Sequence, residues 1–156
     1  MNRVASLGMV SLLVLGVSAQ AVLAFPSRQT PTESEQAQAA FKKGYHHQKA
    51  GRYQEAIEAY EKSLKHDPKQ AEALNNVGFC YKSLKRYQKA IGFYKEALSI
   101  NPQLAEAHEY LGEAYLAIGK RELAQREYQA LLELDPKEAH ELKEQLDAAR
   151  GVKKPE

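Results

Sequence analysis

The sequence predicts an all-α protein in which one helical unit occurs three times. Four residue types recur at one constant step: Gly44, Gly78 and Gly112; Ala56, Ala90 and Ala124; Tyr60, Tyr94 and Tyr128; and Pro68, Pro102 and Pro136. A step of roughly 34 residues is typical of an array of stacked helical units. Such arrays usually present a binding surface, so we expect binding rather than catalysis.

Each unit predicts two helices that pack closely against each other. The units begin at Ala37, Ala71 and Ala105. In the second unit, Leu74, Val77 and Tyr81 are spaced by three and four residues, which places them on one helix face. Places are counted from the first residue of each unit. We expect the glycine at place 8 and the alanine at place 20 to let the two helices approach closely. The tyrosine at place 24 should fill the gap beside them in every unit.

The breaks between the two helices of a unit fall at Gly51, Lys85 and Gly119. Glycine suits a helix end that needs a positive φ, and lysine suits it less well. We therefore expect the middle turn to be stiffer or of a different shape. The second helix of each unit should end at Asp67-Pro68, Asn101-Pro102 or Asp135-Pro136, because proline cannot continue a helix interior.

A lone helix is predicted after the third unit, over residues 139–151. Ala139, Leu142, Leu146 and Ala149 form one apolar stripe on it, and charged residues cover the rest. Leu146 stands where the three units have glycine, which excludes a close partner helix. We interpret the segment as a capping helix that ends the stack, followed by a charged tail over residues 152–156.

The repeated places resemble those of the tetratricopeptide repeat family from Ala37 to about Ala149. That family has the pattern W-x2-L-G-x2-Y, then A-x3-F, then P, within a unit of about 34 residues. The first unit departs from it, with Lys43 at the Leu place and His47 at the Tyr place. The resemblance implies an α-α superhelix of three tetratricopeptide helix pairs, over residues 37–70, 71–104 and 105–138, plus the C-terminal capping helix.

Residues 1–24 have the order of a secretory signal peptide. Arg3 is followed by an apolar run and then by small residues, so cleavage is expected after Ala21 or Ala24. An uncleaved membrane anchor is the alternative, because the apolar run is nearly long enough to span a bilayer. Residues 25–36 are predicted to be a linker and helix start, in which Thr32 and Glu35 form a capping box. The short leader favours a bacterial periplasmic location.

Charge is distributed unevenly along the array. The first two units each have a net charge of +3, and the third has a net charge of −4. The basic first two units and the acidic third unit would orient a partner. They would also allow head-to-tail association of copies. The alternative is a solvated charged surface without a partner.

A binding groove follows from the resemblance, because the first helices of successive units line a concave face in that family. The residues carried over to this face are Phe41, Tyr45, Lys49, Asn75, Asn76, Phe79, Lys82, Glu106, Glu109, Tyr110 and Glu113. The aromatic residues lie off the core stripe and would anchor a partner, unless they pack between units. The two asparagines would bind an extended peptide backbone.

Some members of the family hold the C-terminal carboxylate of a chaperone through Lys, Asn and Arg at five places. Those places carry Phe41, Tyr45, Asn76, Glu106 and Tyr110 here. Only Asn76 matches, and Glu106 would repel a carboxylate. We therefore expect a different ligand, a peptide whose basic end lies toward the third unit.

Other functional classes are disfavoured by the motifs. The sequence has no His-Glu-x-x-His, no Gly-rich phosphate loop and no haem attachment motif, so no enzymatic activity and no cofactor are predicted. No metal site is predicted either, because the adjacent His46 and His47 diverge around a helix and no histidine pair has i, i+4 spacing. Nucleic acid is not expected as a partner, given export and the acidic third unit.

Two further residues carry specific expectations. His108 occupies the Trp place, where burial would lower its pKa and make stability fall near pH 6. Cys80 is expected to be a buried thiol, with an intermolecular disulfide as the alternative.

These features predict a noncatalytic adaptor or scaffold in the bacterial cell envelope. It would bind a segment of a partner protein in the concave groove and assist the assembly of an envelope complex, as the family resemblance implies. One alternative is a self-associating scaffold, a homo-oligomer anchored by an uncleaved N-terminal helix, which is the case in which a membrane is involved. A metal-binding periplasmic protein is the alternative from another class.

Overall fold

The structure, a computed structural model, describes residues 30–149 and 151. The predicted signal peptide, residues 25–29 of the predicted linker and the tail over residues 152–156 lie outside the described residues. The described part contains seven helices and no strand. The helices are α1 (Glu33–Lys49), α2 (Tyr53–His66), α3 (Ala71–Ser83), α4 (Tyr87–Ile100), α5 (Ala105–Ala117), α6 (Arg121–Leu134) and α7 (Pro136–Ala148). None of these is both long and apolar enough to cross a membrane.

The first helix begins at the predicted capping box. The Thr32 hydroxyl accepts a hydrogen bond from the Glu35 amide at 3.2 Å, and the Glu35 carboxylate accepts one from the Thr32 amide at 2.8 Å. Two of the free amides at the helix start are satisfied in this way. The Thr32 hydrogen bonds also lower the pKa of the exposed Glu35, so the carboxylate stays charged beside the positive end of the helix.

Close helix packing follows the predicted glycines in the first two units. A Cβ atom added to Gly44 would lie 2.6 Å from Tyr60 Cδ1, and one added to Gly78 would lie 2.6 Å from Tyr94 Cε1. Both tyrosines are fully buried. The glycines therefore make room for the aromatic ring of the partner helix.

The third unit differs from this expectation. The side chain against Gly112 is Leu142 of α7, whose Cδ2 atom would lie 2.5 Å from an added Cβ. Leu142 is fully buried, while Tyr128 is only half-buried. The prediction that the place-24 tyrosine fills the gap in every unit is wrong for the third unit, because α7 reaches that gap.

The three turns within the units share one backbone shape. Lys85 has φ 58°, close to the 71° of Gly51 and the 74° of Gly119. The amide after each of these residues also repeats one bond: Arg52 to the His47 carbonyl at 2.9 Å, and Arg86 and Lys120 to the Tyr81 and Tyr115 carbonyls, both at 2.8 Å. The expectation of a differently shaped middle turn is wrong, because Lys85 adopts the left-handed conformation itself.

The C-terminal helix begins at Pro136, three residues before the predicted start. Asp135 is the cap: its carboxylate accepts hydrogen bonds from the amides of Lys137 at 2.9 Å and Glu138 at 3.2 Å. Proline is well suited to the first helical place because it has no amide to satisfy there. Ala139, Leu142 and Leu146 are buried, as the apolar stripe predicts, whereas Ala149, its fourth predicted member, is exposed because the helix ends at Ala148.

The order of contacts defines an inner and an outer row of helices. Helices α1, α3, α5 and α7 touch one another in sequence, whereas α2, α4 and α6 contact only inner-row helices. Because the inner helices lie closer together than the outer ones, the array curves around the inner row. The concave face is therefore formed by the inner helices.

Candidate partner-binding groove

A continuous row of aromatic rings links α2, α3, α5 and α4, and two of its rings, Phe79 and Tyr110, belong to the inner helices. Tyr53 lies 6.3 Å from Phe79, Phe79 lies 5.4 Å from Tyr110, and Tyr110 lies 6.0 Å from Tyr94, measured between ring centroids. Edge and tilted contacts at these distances are favourable for aromatic pairs. Phe79 and Tyr110 are half-buried, so they pack between units and also keep part of each ring exposed.

The first unit contributes two aromatic residues of different exposure. Phe41 is half-buried against Tyr60, with ring centroids 5.4 Å apart. Tyr45 is 44% exposed, and the Lys49 ammonium lies 5.3 Å from the centroid of its ring. Among the predicted anchors, Tyr45 is therefore the one most open to a partner.

Lys82 sits on the aromatic row without offering a free charge. Its ammonium lies 4.2 Å from the Tyr110 ring centroid and 5.5 Å from that of Phe79, and it is bound to the Glu113 carboxylate. Both charged side chains are largely buried, at 18% and 24% exposure. The pair holds the two rings in place, so neither residue is an open charge for a ligand.

Asn75 and Asn76 differ in accessibility. Asn75 is only 3% exposed, and its side-chain oxygen has no hydrogen-bond partner among the described residues. Asn76 is half-buried. Asn75 is almost fully buried, so its surface open to a peptide is small and its backbone-binding role stays a prediction.

The Tyr94 hydroxyl is a buried polar group that sequence reasoning missed. In the first unit the equivalent Tyr60 hydroxyl donates to Gln48 Oε1 at 2.7 Å. The second unit has Lys82 at the place of Gln48, and its ammonium is turned toward Glu113. The Tyr94 hydroxyl is left without a partner among the described residues. The change from Gln48 to Lys82 at one repeated place was the available signal.

The predicted acidic residues of the third unit are in different environments. Glu106 is exposed, whereas Glu109 is only 8% exposed and is hydrogen-bonded to Glu138 of α7. Burial, the Glu138 hydrogen bond and the Glu113 charge raise the pKa of Glu109 to about 8, against the opposing effect of Lys82. Glu106 is therefore an open carboxylate of the third unit, whereas Glu109 presents no exposed negative charge to the groove.

Helix α7 contributes to the concave face, which the sequence did not predict. Besides the Glu138 contact, Gln145 Nε2 donates to Glu113 Oε1 at 2.7 Å. Carboxylate oxygens of Glu109, Glu138 and Glu141 lie within 4.8 Å of one another, so these residues have the donor set for a cation. The constant repeat step was the signal for this placement, since it puts α7 in register with the inner helices.

Charge is separated across the array as well as along it. The edge formed by the turns within the units carries the exposed cations Lys49, Arg52, Lys85, Arg86, Lys89 and Lys120, interspersed with the exposed Glu55 and Glu122. The opposite edge carries the acidic residues Glu33, Glu35, Asp67, Glu72, Glu106 and Asp135, interspersed with Lys65, Lys69 and Lys137. The groove between these edges therefore has a mainly basic rim and a mainly acidic rim.

Comparison with known proteins decides the family. Sequence models of the tetratricopeptide repeat match residues 35–103 and 82–146. The first TPR of Spaghetti (RPAP3), solved with the HSP90 peptide SRMEEVD, is 31% identical with a TM-score of 0.70; the match covers 76% of this chain and 97% of that one. The chain belongs to the tetratricopeptide repeat (TPR) family.

Further solved structures share the TPR fold. The second TPR domain of human RPAP3, in complex with the HSP70 peptide SGPTIEEVD, is 25% identical with a TM-score of 0.69, over 78% of this chain and 99% of that one. The structure of MamA has a TM-score of 0.68 at 24% identity, over 74% of this chain and 69% of that one. Comparison with curated protein sequences gives no match.

His108 is placed in the TPR core by two hydrogen bonds. Its Nδ1 atom lies 2.8 Å from Glu127 Oε2, and its Nε2 atom lies 3.0 Å from the Pro102 carbonyl. Both partners are acceptors, so the doubly protonated ring satisfies both. The Glu127 hydrogen bond raises the pKa of His108 against the effect of burial. The expectation of a lowered pKa is wrong, because Glu127 was not identified as its partner.

Two other features of the TPR array lie away from the groove. Cys80 is a fully buried free thiol, and burial raises its pKa to about 12, which fits the buried-thiol expectation.

A recess of about 590 Å³ lies between α1 and α2 on the outer face of the first unit. It is lined by Gln36, Ala39, Ala40, Lys43, His47, Glu55, Glu58, Ala59 and Lys62.

Proposed function

We propose that this TPR array is a noncatalytic adaptor that binds a segment of a partner protein along the inner face of α1, α3 and α5. The observation that carries the proposal is that each of the first three inner helices presents an aromatic ring with exposed surface: the open Tyr45 of α1, and the half-buried Phe79 of α3 and Tyr110 of α5. Aromatic side chains on a rigid scaffold make effective anchors because they lose little conformational entropy on binding. The peptide complexes of the Spaghetti and human RPAP3 domains support this use of the fold.

The groove favours a segment with apolar side chains rather than an acidic C-terminus. The peptide in the Spaghetti structure, SRMEEVD, ends in EEVD, so three acidic side chains and the terminal carboxylate lie close together. In this chain Lys82 is already bound to Glu113, and Glu106 is an exposed carboxylate near the third unit. An acidic terminus would meet repulsion there. A segment with a basic residue toward Glu106 and apolar residues over Tyr45 and Phe79 fits better.

We place this adaptor in the bacterial cell envelope, exported to the periplasm, where it takes part in assembling an envelope complex. The support for this location is the order of Arg3, the apolar run and the small residues Ala19, Ala21 and Ala24. An uncleaved leader would instead anchor the array to the membrane. N-terminal sequencing of the protein recovered from its native cell distinguishes the two cases, because cleavage removes residues 1–21 or 1–24.

Photocrosslinking tests the groove. A photoreactive amino acid is placed at Tyr45, which is exposed on the inner face, and at Glu96 on outer helix α4 as a matched exposed control. We expect a discrete partner band from position 45 alone, identified by mass spectrometry. Equal bands from both positions, or none from either, would reject the groove.

Self-association is the second candidate, and the recess on the outer face of the first unit favours it. It predicts that a photoreactive amino acid at Lys43, which lines the recess, forms crosslinks only between copies of this chain. Sedimentation of the purified protein over a range of concentrations then gives its oligomeric state. A monomer at all concentrations would remove this candidate.

A further inference from the structure

The edge formed by the turns within the units, called here the basic edge, is a strongly charged surface outside the aromatic groove. Six cations are exposed on it, against the two exposed carboxylates of Glu55 and Glu122. Among the described residues, none of the six belongs to an ion pair. Lys49 and Lys89 lie over aromatic rings, and the other four have no such contact. The six are Lys49, Arg52, Lys85, Arg86, Lys89 and Lys120.

Three of these cations stand at the same repeated place, where they do not stabilise the fold. Arg52, Arg86 and Lys120 are the N-cap residues of α2, α4 and α6, and none of these helices has a side-chain cap. A cation beside the positive end of a helix is unfavourable, whereas Asp, Asn, Ser or Thr would cap it. Local helix stability therefore does not account for the cations at this place.

Lys85 is a further cation in a position that its backbone disfavours. Its φ is 58°, and the other two turns have Gly51 and Gly119 at the same place. The left-handed conformation is unfavourable for a residue with a Cβ atom, and such strain is a pointer to function. The middle turn therefore carries an additional positive charge where glycine would fit more easily.

Apolar surface lies between the cations. Leu84 is 36% exposed at the end of α3, and Ala50 and Ile118 stand at the same repeated place in the other turns. Cations next to exposed apolar side chains are typical of surfaces that rest in the headgroup region of a bilayer. A recess of about 240 Å³ in the middle of the edge combines both kinds of surface. It is lined by Lys85, Arg86, Tyr87, Gln88, Lys89 and Ile118.

A bilayer fits this arrangement better than an acidic protein segment does. The cations extend over all three units on long side chains that no ion pair fixes, so they define no single spacing of charges. Headgroups diffuse within a bilayer and can meet cations at any spacing, whereas a protein segment would need carboxylates at matching intervals. Each Lys or Arg near an anionic bilayer strengthens binding by about five-fold.

We infer that the basic edge binds the surface of a bilayer that contains anionic phospholipids, with Leu84 entering the headgroup region. Apart from Lys49, the edge shares no residue with the predicted groove, and its binding is independent of whether the leader is cleaved. The bound array would turn its mainly acidic edge away from the bilayer. The groove between the two edges would then open beside the membrane surface, where a membrane-bound partner could reach it.

Co-sedimentation of the full chain with lipid vesicles tests the inference. The vesicles are phosphatidylcholine alone, or phosphatidylcholine with roughly one-third phosphatidylglycerol. At low salt we expect at least ten-fold stronger binding to the anionic vesicles. That excess should fall at least ten-fold in about 0.5 M salt, because salt screens exposed charges. Leu84→Ser should weaken binding at least three-fold at either salt concentration.

Two triple variants with the same change of charge separate the edge from the net charge. The test variant reverses the three N-cap cations of the basic edge: Arg52→Glu, Arg86→Glu and Lys120→Glu. The control variant reverses three exposed cations of the opposite edge: Lys65→Glu, Lys69→Glu and Lys137→Glu. We expect the first to lose at least ten-fold in binding to anionic vesicles and the second to lose less than three-fold. Circular dichroism confirms that both are folded, which a carboxylate at a helix start favours in the test variant.

Four results would overturn the inference. Equal losses in the two triple variants would assign the effect to net charge. Equal binding of the native chain to neutral and anionic vesicles would assign it to another part of the chain, the leader included. An unchanged affinity of Leu84→Ser would remove the apolar contact with the bilayer. Tighter binding to poly-glutamate or to single-stranded DNA than to anionic vesicles, at equal total charge, would assign the edge to an acidic macromolecule instead.

Discussion

At the scale of single residues, the His108–Glu127 pair shows how a repeat accommodates a polar contact in its core. The same two places hold Leu74 and Phe93 in the second unit, and Ala40 and Ala59 in the first. The third unit changes both places together, so that the imidazole gains a carboxylate partner. A comparison of places 4 and 23 between the units would have identified the pair, whereas His108 alone suggested only an imidazole neutralised by burial.

We predict that stability falls as pH rises through the raised pKa of His108. The folded state binds the proton more tightly than the unfolded state, so the contribution is complete below pH 6.5 and is lost above the folded-state pKa. Glu127→Gln should lower the free energy of unfolding at pH 5.5 by about 1.5 to 3 kcal/mol, the usual contribution of a hydrogen bond to a charged group. Its effect at pH 8.5 should be smaller. Urea unfolding at the two pH values measures the difference.

A control for this prediction is His140→Gln, because His140 is 71% exposed on α7. It should leave the pH dependence unchanged. Equal effects of Glu127→Gln at both pH values would mean that the pair contributes packing rather than charge.

The glycines of the second unit give a matched pair of substitutions. Gly78→Ala should destabilise the protein by about 1 to 3 kcal/mol, because the new Cβ would overlap the buried Tyr94 ring. Gly92→Ala should stabilise it by about 0.5 to 1 kcal/mol, because that helical position faces open space and alanine loses less entropy on folding. Thermal unfolding followed by circular dichroism compares the two, and shifts of the same sign would contradict the packing argument.

At the scale of elements, helices and turns were predictable where the local chemistry is complete within a few residues. The capping box of Thr32 and the proline endings of α2, α4 and α6 depend on neighbours in sequence, and the structure has them as expected. The start of α7 was predicted three residues late, because Asp135-Pro136 both ends α6 and caps α7. The contact of Leu142 with Gly112 was not predictable from either element alone. It depends on how α7 packs into the space that α5 and α6 leave open.

The turn at Lys85 leads to a prediction about the middle unit. A lysine at φ 58° is strained by about 1 to 2 kcal/mol, whereas glycine adopts this conformation freely. Lys85→Gly should therefore raise the free energy of unfolding by about 0.5 to 1 kcal/mol after the entropy cost of glycine. Gly119→Ala should lower it by about 1 kcal/mol, because its φ of 74° is strained for alanine although the space around it is open. Chemical denaturation tests both, and a destabilising Lys85→Gly would mean that the lysine side chain has a role beyond the turn.

At the scale of the whole molecule, the array is held together by contacts between neighbouring helices, and each unit depends mainly on the next. The repeat order and the all-α TPR fold were predictable because four residue series share one period. The accessibility of the groove was not, because it depends on pairs such as Lys82 with Glu113 and Glu109 with Glu138, which join different helices. The charge separation across the groove was also not predicted. It becomes visible only when the fold places the turns within the units along one edge and the turns between the units along the other.

Because each helix contacts mainly its neighbours, we predict that a destabilising substitution at one end of the array affects mainly the helices near that end. Ile57→Ala, at a fully buried site in α2, should cost about 2 to 5 kcal/mol and reduce amide hydrogen-exchange protection most in α1 and α2. Leu131→Ala, equally buried in α6, should do the reverse and affect α5 to α7 most. Uniform loss of protection in both variants would show that the array unfolds as a single cooperative unit.

The junction between α6 and α7 has a consequence for how such a protein can lengthen. Pro136 and Ala139 lie one full repeat step after Pro102 and Ala105, so α7, which begins at Pro136, covers the position where the first helix of a fourth unit would begin. A duplicated unit inserted after Asp135 would keep every existing helix in register and would carry α7 outward as the end piece. The third unit would then be an internal one, with the space beside Gly112 returned to Tyr128. The molecule is in this sense open to growth by whole modules at the boundary between α6 and α7.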